Sequence, residues 1–325
     1  MGTFTVRGSE ELDARIDDDL ERIKNVVSPH CDAGILLGGY GRGEGTPFIK
    51  EDGTQEPFND YDMIVIVDTV NQMVKAQFQR LEQQLTQDIG LPVDLYPYAR
   101  RKLSRCEFSL LNYEMKYSHM VIWGDPNILD AMPNYRHQAI PLSEGSRLLM
   151  NRGKLLLDIK RSLATAKPFT EEERVKFIKF INKVLLAFGD CALLAAGQYD
   201  ISYEVKKMRI STIGNPPDRD FIIAGYICAI DLKEWGDYKA LQALDIEEQV
   251  KKTIDVFCRF LPWYRKQYEL RECSIPKALT LNLKWNKKLS TRHPREALYD
   301  ALEDLLQDRS SLSHEDFYEL QRRFS

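Results

Sequence analysis

Apolar and polar residues follow two different patterns along this chain, and the change of pattern divides it. Up to residue 123, apolar runs of strand length at 34–38, 63–67, 92–98 and 120–123 are interspersed with helical patterns. The helical patterns, in which apolar residues recur every three or four positions, cover 9–27, 70–89 and 105–117. This alternation predicts an α/β domain with a small mixed sheet and helices.

Beyond residue 140 only helical spacing remains, except at 198–215, which could hold a hairpin. Thr170 followed by Glu173 is the signature of a capping box at a helix start. We therefore predict an N-terminal α/β domain at 1–140 and a mainly α-helical C-terminal domain at 141–325. The helices are expected at 143–165, 170–197, 216–232, 244–270, 293–307 and 313–323.

Composition narrows the class of protein. The 325 residues include 45 basic and 49 acidic side chains, a net charge of −4, which excludes a polycation of the histone type. The longest apolar runs are too short for a membrane span, and the first residues lack the features of a secretory signal. Six cysteines without a CxxC pair predict free thiols, with no zinc site or disulfide framework. A cytoplasmic protein is expected.

The first segment with a chemical signature is a glycine-rich turn after the strand at 34–38. It contains Gly38, Gly39, Tyr40, Gly41, Arg42 and Gly43. Glycines let the backbone approach a ligand closely, and successive N–H groups in such a turn can bind an anion. Arg42 adds donors suited to phosphate. Glu44, just after the turn, is expected to be either a solvated acid or an ion-pair partner of Arg42.

Acidic residues open the next strand and recur on the third. Asp60 and Asp62 are two positions apart, so they point to the same face of a strand. Asp94 lies between apolar residues of the third strand and joins the pair if the strands are neighbours. Clustered carboxylates repel one another, and a divalent cation such as Mg²⁺ or Mn²⁺ relieves the repulsion. The set predicts a two-metal site for phosphoryl or nucleotidyl transfer.

In this order, the glycine turn, Asp60-x-Asp62 and Asp94 resemble the DNA polymerase beta-type nucleotidyltransferase superfamily over roughly residues 30–98. The resemblance implies an enzyme that transfers a nucleoside monophosphate from an NTP, most simply ATP, to a hydroxyl of a small molecule or protein. Pyrophosphate is released. The resemblance also implies that Asp60, Asp62 and Asp94 hold Mg²⁺ and perform catalysis. The nucleotide would be bound by Gly38, Gly39, Tyr40, Arg42 and Gly43.

Two departures from the family pattern concern the glycine turn and the segment after it. Gly39 stands where many members have serine, and the interval to Asp60 is longer than in compact members. The additional segment, 46–58, is polar and is expected to form a flap or loop over the cleft. The family habit of appending helices implies that the helical domain completes the cleft.

Other functions stay open at this stage. One is a nucleotide-binding regulatory module, such as half of a toxin–antitoxin type pair, and another is a synthase of nucleotide second messengers. Nucleic acid is not the expected partner, because the chain is acidic overall and has no strong basic stripe. A basic patch at 284–295 is the exception, and a homodimer is compatible with the sequence.

Overall fold

A computed structural model describes residues 2–50, 52–165, 168–236, 244–267, 279–280, 282–284, 294–309 and 313–324. The chain divides into two compact units. The first comprises Met1–Pro141, Gly197–Met208 and Ile230–Tyr238. The second comprises Leu142–Ala196, Arg209–Ala229 and Lys239–Ser325. The first continuous stretch ends beside the predicted boundary, but the two later segments of the first unit were not anticipated.

The first 141 residues alternate helices and strands. Their elements are α1 (Glu10–Val27), β1 (Ala33–Leu36), α2 (Gly38–Gly41), β2 (Pro47–Ile49), β3 (Gln55–Pro57), β4 (Tyr61–Val67), α3 (Gln72–Ile89), β5 (Val93–Ala99), α4 (Leu110–Tyr117) and β6 (Met120–Trp123). The remaining elements are α5 (Ser143–Leu163), α6 (Glu171–Ala195), α7 (Tyr203–Arg209), α8 (Arg219–Trp235), α9 (Ile246–Arg265), α10 (Pro294–Leu306) and α11 (His314–Phe324).

A four-stranded sheet in the order β5-β4-β1-β6 forms the centre of the first unit. β1 is antiparallel to β4 and β6, whereas β4 is parallel to β5. The parallel pair is joined by α3, because parallel strands need a crossover connection. The prediction of a small mixed sheet followed by helices is therefore confirmed, while the particular superfamily fold stays a prediction.

β4 is apolar along its length because both faces of the sheet are covered. Met63 and Val65 pack with residues of α1 and α3 on one face. Ile64 and Ile66 belong to a second cluster on the opposite face, which includes Met115 of α4. The alternation of strand side chains also assigns Asp62 to the face of Ile64.

Three sequence expectations need correction. The glycine-rich segment after β1 was expected as a turn and the segment 46–58 as a flap or loop, but they contain the short helix α2 and the antiparallel pair β2–β3. No hairpin occurs at 198–215, where the described residues form α7 and a short 3₁₀ turn. Elements this short contain too few periodic positions to give a clear pattern. The helix expected from 105 begins instead at 110, where the Ser109 side chain caps it.

Several local signals were predictive. The capping box of Thr170 and Glu173 is present at the start of α6, with both of its hydrogen bonds. The five cysteines within the described ranges are free thiols. No helix among the described residues is long and apolar enough to cross a membrane. Most of the basic patch at 284–295, including residues 285–293, lies outside the described residues.

The second unit is built on close contacts among α5, α6 and α9. Small residues also permit close contacts with α8, and Gly189 of α6 is an example. A Cβ atom placed on Gly189 would lie 2.0 Å from the ring of Tyr226. Tyr226 is fully buried, and its hydroxyl donates to Asp190 at 2.6 Å, so its ring has no room to retreat.

We expect Gly189→Ala to lower the free energy of unfolding by about 1–2 kcal/mol. Overpacking a core costs about 1–3 kcal/mol, which exceeds the gain of about 1 kcal/mol from the better helix propensity of alanine. Denaturant unfolding followed by circular dichroism measures the change. An unchanged or more stable protein would contradict the packing described here.

Candidate metal centre

Three carboxylates meet at one end of the parallel strand pair. Asp62 of β4 is the register partner of Asp94 of β5, and Asp60 lies just before β4. One carboxylate oxygen from each residue lies within 4.8 Å of the others. Asp94 is exposed, while Asp60 and Asp62 are half-buried. The structure thus brings together all three acids that the sequence analysis selected.

This donor set fits a hard divalent cation. Mg²⁺ and Mn²⁺ prefer oxygen ligands, and Mg²⁺ sites in particular often combine one or two carboxylates with phosphate oxygens and water. Three carboxylates this close also repel one another, and an ion between them removes that repulsion. Asp60, Asp62 and Asp94 are therefore the residues that would hold the metal.

Gly38 lies directly against this acidic cluster. Its φ of +65° favours glycine, and a Cβ atom there would lie 2.5 Å from Oδ2 of Asp62. The preceding residue is fixed too, since the Leu37 N–H donates to the Asp62 carbonyl at 2.8 Å. Gly38, Asp62 and Asp94 line one cleft of about 460 Å³. Of the glycine turn, it is Gly38 that the structure places beside the acids.

Tyr40 supports the site from within the core. Its ring is buried against Tyr61 at 5.3 Å between ring centroids. Its hydroxyl accepts the N–H groups of Phe58 and Asn59, at 3.0 and 3.1 Å, immediately before Asp60. Burial raises the pKa of this phenol, so it stays protonated. Because the Tyr40 side chain is buried, it does not line the cleft surface, where the predicted contact with a nucleotide would be made.

Tyr61 ties the start of β4 to α1. Its buried hydroxyl donates to Oδ2 of Asp19 at 3.0 Å, and Arg15 pairs with the same oxygen at 3.3 Å. Asp19 is fully buried, and burial raises the pKa of its carboxyl group. Tyr61 stands between Asp60 and Asp62 in sequence, so this bond holds the segment that carries both acids.

The Arg42 side chain belongs to an ionic cluster within the first unit. Its side chain is 11% exposed, and its Nε atom lies 3.1 Å from Oε2 of Glu44. Glu114 lies 3.9 Å away, and Tyr203 presents its ring to the guanidinium. Burial opposes the charge, but Glu114 leads the neighbours that raise the pKa of Arg42. The Arg42–Glu44 ion pair is one of the two alternatives expected for Glu44.

Arg42 and Gly43 line a neighbouring cavity of about 680 Å³, while the cleft of the acids is lined at the glycine turn by Gly38. Gly39 faces Lys233, whose Nζ atom lies 2.9 Å from the position of a Cβ on Gly39. The amides of Gly41 and Gly43 donate to carbonyls of Leu37 and Tyr40 within the turn. Of the five residues predicted to bind the nucleotide, Gly38 therefore lines the cleft, whereas the other four support the turn or line the neighbouring cavity.

The segment 46–58 lies beside the core rather than over the cleft. In its described residues, β3 packs against α1, and Gln55 accepts the N–H of Ser9 at 2.7 Å. Asn59 accepts the N–H of Thr46 at 2.7 Å and closes the segment at its base. None of its described residues lines the cleft, so the expected flap is not observed.

Sequence reasoning missed two further acids of the cleft, Glu82 of α3 and Glu114 of α4. Oε1 of Glu82 accepts the N–H of Leu95 at 2.7 Å, next to Asp94. Burial, together with the charge of Asp94, raises the pKa of Glu82. Both acids lie on helices with other exposed polar residues, so nothing in their spacing distinguishes them.

Comparisons of the chain with protein-family models, with curated proteins and with solved structures find no match. The assignment of a function therefore depends on the geometry of the site.

Replacing Gly38 by alanine tests the contact with Asp62. We expect Gly38→Ala to weaken Mn²⁺ binding at least about tenfold, because the new methyl group would displace the carboxylate of Asp62, a candidate ligand. Isothermal titration with Mn²⁺ measures the affinity. Gly53→Ala is the matched control, since Gly53 has a φ of +84° and open space around its Cβ position. Equal affinities in the two variants would contradict this arrangement.

Tyr40→Phe tests the support of the acid-bearing segment. Removing the hydroxyl leaves the N–H groups of Phe58 and Asn59 without their acceptor, so we expect a loss of about 1–3 kcal/mol in unfolding free energy. Chemical denaturation checks the value. A variant as stable as the parent would show that these two hydrogen bonds contribute little.

Proposed function

We propose that this protein is a metal-dependent nucleotidyltransferase. It transfers a nucleoside monophosphate from an NTP, most simply ATP, to a hydroxyl of a small molecule or protein and releases pyrophosphate. The observation that carries the proposal is the meeting of Asp60, Asp62 and Asp94 around one point, with the backbone of Gly38 against Asp62. The resemblance of the ordered motif to the polymerase beta-type superfamily supports the same activity.

The three acids have different surroundings, which favours different roles. Asp60 and Asp62 are half-buried and held by the Tyr61 anchor, as suits ligands of fixed position. Asp94 is exposed on the neighbouring strand, which suits contact with the acceptor and receipt of its hydroxyl proton. A divalent cation bound by these residues supplies neutralisation of phosphate charge and lowers the pKa of a bound hydroxyl.

Gly38 supplies access for the nucleotide. Because Gly38 has no side chain, a phosphate group can approach the backbone of the turn next to the carboxylate of Asp62. Any larger residue would occupy the space in which the phosphates and the acid have to meet. The turn thus contributes space and backbone contact, while Arg42 stabilises the turn through Glu44.

The test is pyrophosphate release with each of the four NTPs and with Mg²⁺ or Mn²⁺. We expect release that falls by a factor on the order of 1,000 in Asp60→Ala/Asp62→Ala, because bound metal contributes several kcal/mol to the transition state. Asp68→Ala is the control, since Asp68 is an exposed acid just after β4. Circular dichroism confirms that the variants are folded.

Mass spectrometry of the products separates the alternatives. A protein adduct or a modified small molecule supports transfer to an acceptor, whereas linked nucleotides made without an acceptor indicate a second-messenger synthase. NTP binding without release in the presence of cell metabolites supports the regulatory module. No NTP binding with either metal would refute the proposal.

A further inference from the structure

The cleft continues beyond the metal centre along β5 and α4. Its described lining residues include four acids, Asp62, Asp94, Glu82 and Glu114, and no lysine or arginine. A wall of one charge sign raises the local concentration of ligands of the opposite sign. The part of this wall that lies away from the metal offers no favourable interaction to the phosphates of a nucleotide, whereas it attracts a cation.

An exposed ring lies in the same wall. Tyr96 is 61% exposed and stands two positions after Asp94 on β5, so both side chains point to the same face of the strand. Leu111 of α4 is 50% exposed and also lines the cleft. The open face of a tyrosine ring attracts an organic cation, and the leucine adds apolar contact for the carbon atoms around the charge.

The protein fixes the two additional acids in position. Glu82 is held at the level of Leu95, between Asp94 and Tyr96, by the hydrogen bond to the Leu95 amide. Glu114 is held by the Tyr199 hydroxyl and lies near the guanidinium of Arg42. Carboxylates restrained in this way keep their places when a ligand binds, unlike acids on a freely moving surface chain.

We propose that this wall is the acceptor subsite and that the acceptor is an organic cation that also carries a hydroxyl group. The charged nitrogen lies at Glu82 and the ring of Tyr96, which brings the hydroxyl to Asp94. The inference rests on the proposed nucleotidyl transfer and names the class of its second substrate.

The reaction is balanced by groups already present. The hydroxyl oxygen of the acceptor forms a bond to the α-phosphorus of the NTP, and its proton passes to Asp94. The bond from the α-phosphorus to the oxygen bridging to the β-phosphorus breaks, and its electron pair leaves with pyrophosphate. The acceptor nitrogen keeps its charge throughout, so the product stays attached to the wall by the same contacts.

The test compares two probes of one shape. Choline carries a hydroxyl and a quaternary ammonium, and 3,3-dimethyl-1-butanol has carbon in place of the nitrogen. Binding is measured by NMR titration of the full chain with Mg²⁺ and α,β-methylene-ATP, which binds as ATP but cannot transfer its nucleotide. We expect choline to bind at least about fivefold more tightly than the neutral alcohol.

Variants assign the preference to the wall. Tyr96→Leu and Glu82→Gln should each reduce the choline preference about threefold or more, without changing the affinity for the ATP analogue. Glutamine can still accept the Leu95 N–H, so a purely structural role of Glu82 predicts no change. Asp88→Asn is the control, since Asp88 is an exposed acid on the same helix.

The outcomes distinguish the two proposals. Equal binding of choline and the neutral alcohol, or a preference that both variants leave intact, would overturn the cationic acceptor while analogue binding preserves the nucleotide site. Failure of the wild-type protein to bind either Mn²⁺ or the ATP analogue would instead refute the proposed function.

Discussion

The parallel pairing of β4 with β5 is the constraint on which the candidate site depends. It sets Asp62 opposite Asp94, whereas the alternation of side chains along one strand relates Asp60 to Asp62. A shift of one residue in the register would turn Asp94 towards the opposite face of the sheet and leave a two-acid site. The register is protected by the burial of β4 on both faces, because any such shift would also move its apolar side chains out of their clusters.

Behind the acids, the protein uses hydrogen bonds where an ordinary core would use apolar contacts alone. The hydroxyls of Tyr40 and Tyr61 hold the backbone before Asp60 and the start of β4, with the buried Asp19 as a partner from α1. A buried polar network of this kind restrains its members, although Oδ1 of Asp19 has no hydrogen-bond partner among the described residues. Its position directly behind the cluster suits a site that keeps repelling carboxylates together.

Features that are marked by a local pattern of residues could be predicted from the sequence. Asp60 and Asp62 could be found because strand periodicity and short spacing place them on one face, and the helices because their apolar positions repeat. Asp94 could be included only on the expectation that its strand is a neighbour of theirs, which the pairing of β4 with β5 bears out. Glu82 and Glu114 could not be found, since only the tertiary packing of α3 and α4 directs them to the cleft. The ion pairing of Arg42 was expected only as an alternative, because an arginine that binds phosphate and one that pairs with Glu44 would have the same sequence signature.

Two later segments of the chain, Gly197–Met208 and Ile230–Tyr238, belong to the first unit, and this has a consequence for folding during synthesis. The Glu44 carboxylate accepts the N–H of Tyr203 at 2.8 Å, and Lys233 donates to the Glu44 carbonyl at 2.9 Å. A ribosome that has synthesised only the first 141 residues has not yet supplied either partner. The contacts of Tyr203 and Lys233 with Glu44 can form only after about a hundred further residues have emerged, so the unit that contains the acidic cluster is completed late in translation, despite its early place in the sequence.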